Sequence, residues 1–569
     1  MAPKVLMVAE KPSIALAIAS ALSGGRMSTR RGSTEVHEFD GMFLGFPVHY
    51  KVTSVIGHVF RKERSNGQSR REKIQTAIQI NLYCFYENRE KLDSVDFPAR
   101  FQDWSSTNPL DLFDAPIVKS ESTPKAHICR HLSQEARGCG HLVLWLDCDR
   151  EGENICFEVI ECTGFQSTAG KKVHRARFSS VTEKDILKAM NSLVEPNKNE
   201  AQAVDARQEI DLKVGVAFTR FQTSYFNGKY GNLDSRVISY GPCQTPTLGF
   251  CVRRHLQINT FKPEKFWTLH PYIMFKGYEL KLDWQRHRLF DSDVTQMFRH
   301  FVKEDGFLKV IGISEKQVSK GRPTGLNTVN LLKVASSALG FGPQLAMQLA
   351  ERLYTQGFIS YPRTESTAYP ASFDYKGTLG ALARNPVWGD YVQQLLSDGY
   401  HKPRSGTDAG DHPPITPMSS ATENILGHDA WKLYQYICQH FLGTLSPDCK
   451  YTRIKIEFES GGESFNCVGQ HVLVKGFTSI MPWLAVTEIN IPQFTEGQKI
   501  DISRIEVDEV QAGRRLVPTA LGISLIRGYQ LIDPDLCLPD IRSFIEHQIA
   551  LVAKGQADHS LVVEHDRAV

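Results

Sequence analysis

Leu142–Glu153 reads LVLWLDCDREGE. Five apolar residues in a row suit a strand buried on both faces, as in a parallel sheet covered by helices. The run ends in Asp147-Cys148-Asp149-Arg150-Glu151-Gly152-Glu153, and a helix is predicted over 154–161. Asp147, Asp149 and Glu151 alternate, so strand geometry carried a few residues further would put their carboxylates on one side. Clustered carboxylates repel unless a cation sits among them. Oxygen-only ligands suit Mg2+, which takes one or two carboxylates together with phosphate and water. The plainer reading is an acidic helix start, but so many acids at the end of a buried strand favour metal.

The N-terminus repeats this plan. Val5–Val8 is a short apolar strand that ends in Ala9-Glu10-Lys11-Pro12-Ser13. Ser13 opens a helix predicted over 14–22, and Gly24-Gly25 ends it. Ligand sites in α/β sheets lie at the carboxyl ends of strands, which makes Glu10 and Lys11 candidate functional groups; a solvated loop pair is the alternative. A strand ending in Glu, then one ending in DxDxE, resembles the Toprim domain of topoisomerases, primases and some nucleases. That resemblance implies metal-dependent phosphoryl transfer.

A second decisive stretch is Leu353–Pro370, LYTQGFISYPRTESTAYP. An apolar helix runs into Gly357, a short β-type pair follows at 358–359, and then comes Tyr361-Pro362-Arg363. Proline drives the residue before it toward extended geometry. This holds the phenol at a fixed angle near Arg363, an always-charged, planar phosphate binder. Tyr361 reads either as a nucleophile for a phosphodiester or as a strand-end tyrosine whose hydroxyl caps a core.

A chain of 569 residues is too long for one core, and about three or four domains are expected. Net charge is only +3, so the sum does not announce a nucleic-acid binder. No apolar run approaches a membrane span. The start reads as a strand rather than a signal peptide. The 12 cysteines form no CxxC pair, which fits a reducing compartment and argues against a zinc ribbon here.

Between the two acidic strand ends lie His58 and the basic run Arg61–Lys73, read as a solvated loop. Arginine then gathers beside apolar helix faces at Arg175, Arg177, Arg207 and Arg220. Arg207 and Asp211 are four apart on a predicted helix and so are expected to face each other. SYGPCQTPTLGF, 239–250, places Gln244 and Thr245 among Gly and Pro punctuation. Segments 261–278, 307–313, 451–459, 472–474 and 500–507 read as β-rich. Asn327 caps a helix predicted over 328–339, and Pro343 opens another that leads to Tyr361. Two helices, a tight turn and a strand resemble a winged-helix unit. Asp408–Ile415, DAGDHPPI, is a stiff polar loop around His412, and a closing helix is predicted over 544–552.

Taken together, VAEKPS, LDCDREGENICFEV, RARFSS, VDARQEIDL, AFTRFQT, GPCQTPTLGFCV, RLYTQGFISYPRTES and DAGDHPPITPM resemble the type IA DNA topoisomerases. Within them they are most similar to the beta form of the eukaryotic topoisomerase III branch. ISYPRTE together with DxDxE is highly specific and reverses the balance at Tyr361. The resemblance implies a multidomain α/β plus α+β chain: a Toprim domain, then a torus with a winged-helix tyrosine domain and a β-rich arch. The expected divisions are 1–165 Toprim with an inserted segment at 61–92, 166–260 strand-binding, 261–325 arch, 326–425 winged-helix, 426–510 arch return and 511–569 a shortened return to the strand-binding domain.

The resemblance also implies that Tyr361 attacks a single strand and forms a 5′-phosphotyrosine. Glu10 would serve as general acid, Lys11 and Arg363 as charge stabilisers, and His412 would lie beside the scissile phosphate. Asp147, Asp149 and Glu151 would hold Mg2+. Arg177, Arg207, Gln244 and Thr245 would lie along the strand. The implied activity is ATP-independent relaxation of negatively supercoiled DNA, with RNA as a further substrate class; no GxxxxGK[ST] loop is present, consistent with that. Implied too are a Tudor-domain scaffold partner, a monomer, no membrane, and residence in nucleus and cytoplasm.

Two departures from the family stand out. Arg61 to about Leu92 looks inserted. Ile505–Val510 passes straight to Gln511-Ala-Gly-Arg-Arg515, where the family carries a helical segment with a GIGT motif. A catalytically impaired scaffold that still binds nucleic acid is therefore the alternative to an active enzyme. The chain is also expected to lack the family's zinc-binding or Arg/Gly-rich tail, and with it some RNA and duplex engagement.

Overall fold

The computed structural model describes residues 3–55, 93–121, 127–165, 171–226, 237–260, 265–510 and 537–565 except 105 and 372, together with 523, 526, 527 and 530. The basic run at 61–73, His58, the 61–92 segment and the junction after Val510 lie outside them.

The first layer is a six-stranded sheet. Its order is Ser28–Arg30, Val36–Phe43, Phe46–Ser54, Lys4–Ala9, Cys139–Trp145 and Lys172–Arg175. Lys4–Ala9 lies in the middle and pairs in parallel with both neighbours. Its central residues and those of 142–145 are completely buried, as their unbroken apolar runs required. The helix after it is Pro12–Ser23. Its cap is Lys11, not Ser13 as expected, because Pro12 suits the first helical position, where no amide donor is needed. The left-handed Gly24 ends it. Lys172–Arg175 pairs in parallel with His141–Leu144, so this domain runs past the expected boundary at 165.

The second layer is a seven-stranded antiparallel sheet built by two distant passes of the chain. Phe266–Phe275, Tyr278–Lys281, Asp283–Trp284 and Phe307–Lys320 come from the first pass. Cys449–Ser460, Glu463–Val474 and Lys499–Val510 come from the second. Pairing of Phe307–Lys309 with Lys499–Asp501 joins them. Leu269, Trp284, Leu308, Phe458 and Phe465 fill its core. This is the β-rich arch.

The helical part that carries Tyr361 hangs between the two passes. The Asn327 side chain caps Thr328–Ser337 as expected, and Pro343–Thr355 follows Gly342. The expected strand at 358–359 is instead a single bridge, Ile359 to Pro417. His428–Leu445 packs against Pro343–Thr355 in the same apolar core, so this domain runs past the expected boundary at 425. The core does not stop at the domain edge. Ala176, Phe178 and Ile186 from the first sheet's side share it with Leu353, Tyr354 and Tyr361.

The long helix Lys198–Phe226 receives the chain's end. Pro539–Ala553 and His559–His565 lay Ile545, Ile549, Val552, Val562 and Val563 on Ala203, Ala206 and Ile210. Asp211 faces Arg207 as expected and also pairs with Arg542 of that returning helix. No helix of the described residues is long and apolar enough to cross a membrane.

His440 gives this helical domain a pH signature. Its Nε2 donates to the Thr324 carbonyl at 2.9 Å, and burial holds the imidazole far below its usual value, at about 4. The unfolded chain binds a proton below its ordinary value of about 6.5, while the folded chain refuses it until about pH 4. Stability is therefore full above about 6.5 and falls as pH drops toward 4, with roughly 2 kcal/mol lost by pH 5. His440→Gln is expected to narrow the difference in melting temperature between pH 7 and pH 5; an unchanged difference would show that His440 does not carry it.

Candidate active site

Glu10 and Asp147 stand at the ends of adjacent parallel strands, and the fold joins them directly. The Asp147 amide donates to Glu10 Oε2 at 2.9 Å, with both residues buried. Lys11 follows at the helix cap, where its carbonyl accepts the amides of Ile14 and Ala15.

The acidic run does not continue as a strand. The strand stops at Trp145, and Asp149 becomes the cap of helix Arg150–Thr163, with Oδ1 accepting the Gly152 amide at 2.9 Å. Asp147, Asp149 and Glu151 therefore do not share a side through strand alternation. Asp147 Oδ1 accepts the Tyr354 hydroxyl at 3.0 Å, and Asp149 Oδ2 accepts the Tyr361 hydroxyl at 2.7 Å. Glu151 pairs with Arg207, whose charge also reaches Asp211 as expected. Among the described residues no three His, Cys, Asp or Glu side chains converge closely enough to hold an ion. The donor chemistry still suits Mg2+ in its usual setting, where one or two carboxylates are completed by substrate phosphate and water.

Arg175 fixes the position of these acids. Its side chain is 0% exposed. Nη1 donates to the Leu146 and Ala176 carbonyls at 2.7 and 2.9 Å, Nη2 to the Asp147 carbonyl at 2.7 Å, and Nε to Glu153 Oε1 at 2.9 Å. Gly152 closes the turn from the other side, where a Cβ would meet the Asp147 carbonyl oxygen at 1.8 Å. The glycine of the acidic motif is thus needed for a close backbone approach.

Tyr361 is set by the end of helix Pro343–Thr355. Gly357 takes φ +78°, and the Phe358 amide returns to the Leu353 carbonyl at 2.9 Å, a glycine helix stop. The chain then runs between two walls. The Ser360 amide donates to Thr416 and the Tyr361 amide to Ser179, at 2.9 and 3.0 Å. Tyr361 is only 2% exposed. The Tyr354 ring meets it edge-on at 5.2 Å and the His412 ring lies at 4.4 Å. His412 arrives because Asp411 ties its loop to the tyrosine segment, accepting the Glu365 amide at 2.7 Å and the Ser366 hydroxyl. Arg363, expected beside the phenol, is paired with Glu351, since a nearby carboxylate attracts a guanidinium more strongly than a neutral phenol does.

The other expected residues lie on separate elements. Arg177 is exposed just after Lys172–Arg175, while Gln244 and the buried Thr245 open helix Gln244–Thr260. Sequence reasoning missed Tyr354, the Arg175–Glu153 pair and Asp411. Tyr354 lies in an apolar helical pattern and reads as packing. Burial and the neighbouring Asp147 charge push its phenol well above its usual range, so it stays a donor.

A model described as the Toprim domain matches residues 5–181, and one described as DNA topoisomerase matches 195–512. The chain belongs to the type IA DNA topoisomerases. It is 64% identical to the DNA topoisomerase 3-beta of Arabidopsis thaliana, over 99% of this chain and 66% of that protein. To the DNA topoisomerase 3-beta-1 of Homo sapiens it is 46% identical, over 99% and 67%. The chain thus spans about two thirds of the length of the curated relatives it matches. Full-length topoisomerase I from Thermotoga maritima superposes with a TM-score of 0.68 over 99% of this chain and 89% of that one, at 19% identity, a likeness of fold alone.

Two substitutions check how this topoisomerase site is held. Gly152→Ala is expected to lose the Asp149 cap and lower the melting temperature, by about 1–3 kcal/mol in stability. Arg175→Met leaves the buried Glu153 carboxylate without its charged partner and with the Asn197 amide remaining, and is expected to cost about 3–5 kcal/mol. Denaturant unfolding measures both, and wild-type midpoints would refute the assignment.

Proposed function

We propose that this chain cuts and rejoins one strand of nucleic acid through Tyr361 and so relaxes negatively supercoiled DNA without ATP. The observation that carries the reading is the Tyr361 hydroxyl donating to Asp149 at 2.7 Å, where the Toprim acids meet the helical domain. An unaided phenol ionises only near pH ~10 and is a poor nucleophile below it; Asp149 stands where it can take the proton. The Tyr361 oxygen then bonds to phosphorus, and the 3′-oxygen leaves as a hydroxyl with a proton from Glu10. The reverse attack by that hydroxyl restores the strand and the phenol, so one ester bond replaces another and no nucleotide hydrolysis is required.

Asp147 and Asp149, with Glu151, would hold Mg2+, which when bound neutralises phosphate charge. Lys11, Arg363 and His412 surround the path to the phosphate in this reading, and Arg177, Arg207, Gln244 and Thr245 guide the strand. For Arg207 and Arg363 this requires exchanging a carboxylate partner for a phosphate, a trade that guanidinium geometry permits. Parting of the Toprim wall from the helical wall then lets a second strand pass. RNA as a substrate, a Tudor-domain scaffold partner, a monomeric state and residence in nucleus and cytoplasm rest on the likeness to topoisomerase 3-beta.

A second reading is a strand-binding protein without turnover. The match to the Arabidopsis thaliana relative extends over 606 aligned positions, more than the 569 residues here, so that relative carries segments this chain lacks.

Covalent trapping separates the two. Wild-type protein and Tyr361→Phe are incubated with Mg2+ and a single-stranded oligonucleotide labelled at its 3′ end, then denatured and run on a gel. Label migrating with wild-type protein and not with the variant is expected. Binding by both without trapped label would favour the second reading, and cleaved strands without attached protein would reject the tyrosine mechanism.

A further inference from the structure

Two phenols from the helical wall reach two carboxylates of the Toprim wall. Tyr361 donates to Asp149 and Tyr354 to Asp147. Tyr354 is 1% exposed and Asp147 is 3% exposed, so their contact is a buried, charge-assisted hydrogen bond, the stronger kind. The two differ in what the reaction does to them. Once Tyr361 carries the phosphate ester it has no hydroxyl hydrogen, and its contact with Asp149 is lost. The Tyr354 hydroxyl takes no part in bond making. Of the two phenol–carboxylate contacts, Tyr354–Asp147 alone survives in the cleaved state, when the walls must part for passage and come together again for rejoining.

We propose that Tyr354 is a positioning residue that latches the helical domain to Asp147 and sets how far the walls stay closed while the strand is broken. The inference rests on the tyrosine mechanism above, but its test does not require activity. Tyr361→Phe removes the hydroxyl as the ester does, and so imitates the latch of the cleaved state.

The amide of residue 361 reports closure directly, because it donates across the walls to the Ser179 carbonyl at 3.0 Å. The amide of Ser360 bonds to Thr416 within the helical domain at 2.9 Å and serves as an internal control. Hydrogen exchange resolved to these two residues is compared between Tyr361→Phe and the double variant Tyr361→Phe/Tyr354→Phe, without nucleic acid. Loss of one hydrogen bond to a charged acceptor shifts an equilibrium by roughly tenfold or more. Exchange at 361 is therefore expected to rise by that factor while Ser360 stays constant. No change at 361 would overturn the latch. So would an equal rise at both positions, which is what a merely structural role for Tyr354 would produce.

Should the Tyr354→Phe chain not fold, Asp147→Asn in the Tyr361→Phe background replaces the charged acceptor by a neutral one. It is expected to move exchange at 361 alone, in the same direction. In the otherwise wild-type chain, Tyr354→Phe is expected to slow rejoining of trapped strands by roughly the same factor. A wild-type chain that traps no strand would instead reject the tyrosine mechanism and leave the exchange result standing by itself.

Discussion

Carboxylates taken out of water need donors, and this molecule supplies them from separate parts of the chain. Glu10 receives an amide from the neighbouring strand end, Asp147 and Asp149 receive hydroxyls from the helical wall, and Glu153 receives the Arg175 guanidinium. Burial makes the contacts of Glu10, Asp147 and Glu153 expensive to lose. The acids and the tyrosine domain are thereby bound to one arrangement, and the site exists only where the two walls meet.

The same meeting is apolar as well as polar. One core runs from the central strand Lys4–Ala9 through Phe178 and Ile186 into Leu353 and Tyr354. Opening exposes part of that surface, at a cost that grows with the area uncovered. The polar contacts add direction to this non-directional force: hydroxyl and carboxylate meet in one geometry only. An interface of this kind can separate and return to the same register.

In the proposed strand passage, the arch keeps such a motion within one chain. Its sheet is stitched from residues before and after the helical domain, and Phe307–Lys309 paired with Lys499–Asp501 closes the loop. The helical domain is therefore tethered at both its ends to one rigid sheet. The returning helices pack on Lys198–Phe226 and pair Arg542 with Asp211.

By itself the sequence determined the local pieces: two buried strands that end in acids, the glycine stop after an apolar helix, the Asn327 cap and the tyrosine before a proline. Each follows from periodicity, chain stiffness or burial within a few residues, and specific motifs tied them to a family. Only the tertiary structure decided the partners. Strand alternation was expected to gather Asp147, Asp149 and Glu151, but the helix starts at Arg150 and aims them at Tyr354, Tyr361 and Arg207. Arg363 was expected at the phenol and turned to Glu351; Arg207 and Asp211 do face each other, but each also gained a partner from elsewhere in the fold, Glu151 and Arg542. A long charged side chain chooses among all carboxylates within its reach, near in sequence as Glu351 is to Arg363 or distant as Asp211 is from Arg542. Tyr354 was hidden for the same reason, since an apolar helical face looks alike whether it meets a core or a carboxylate.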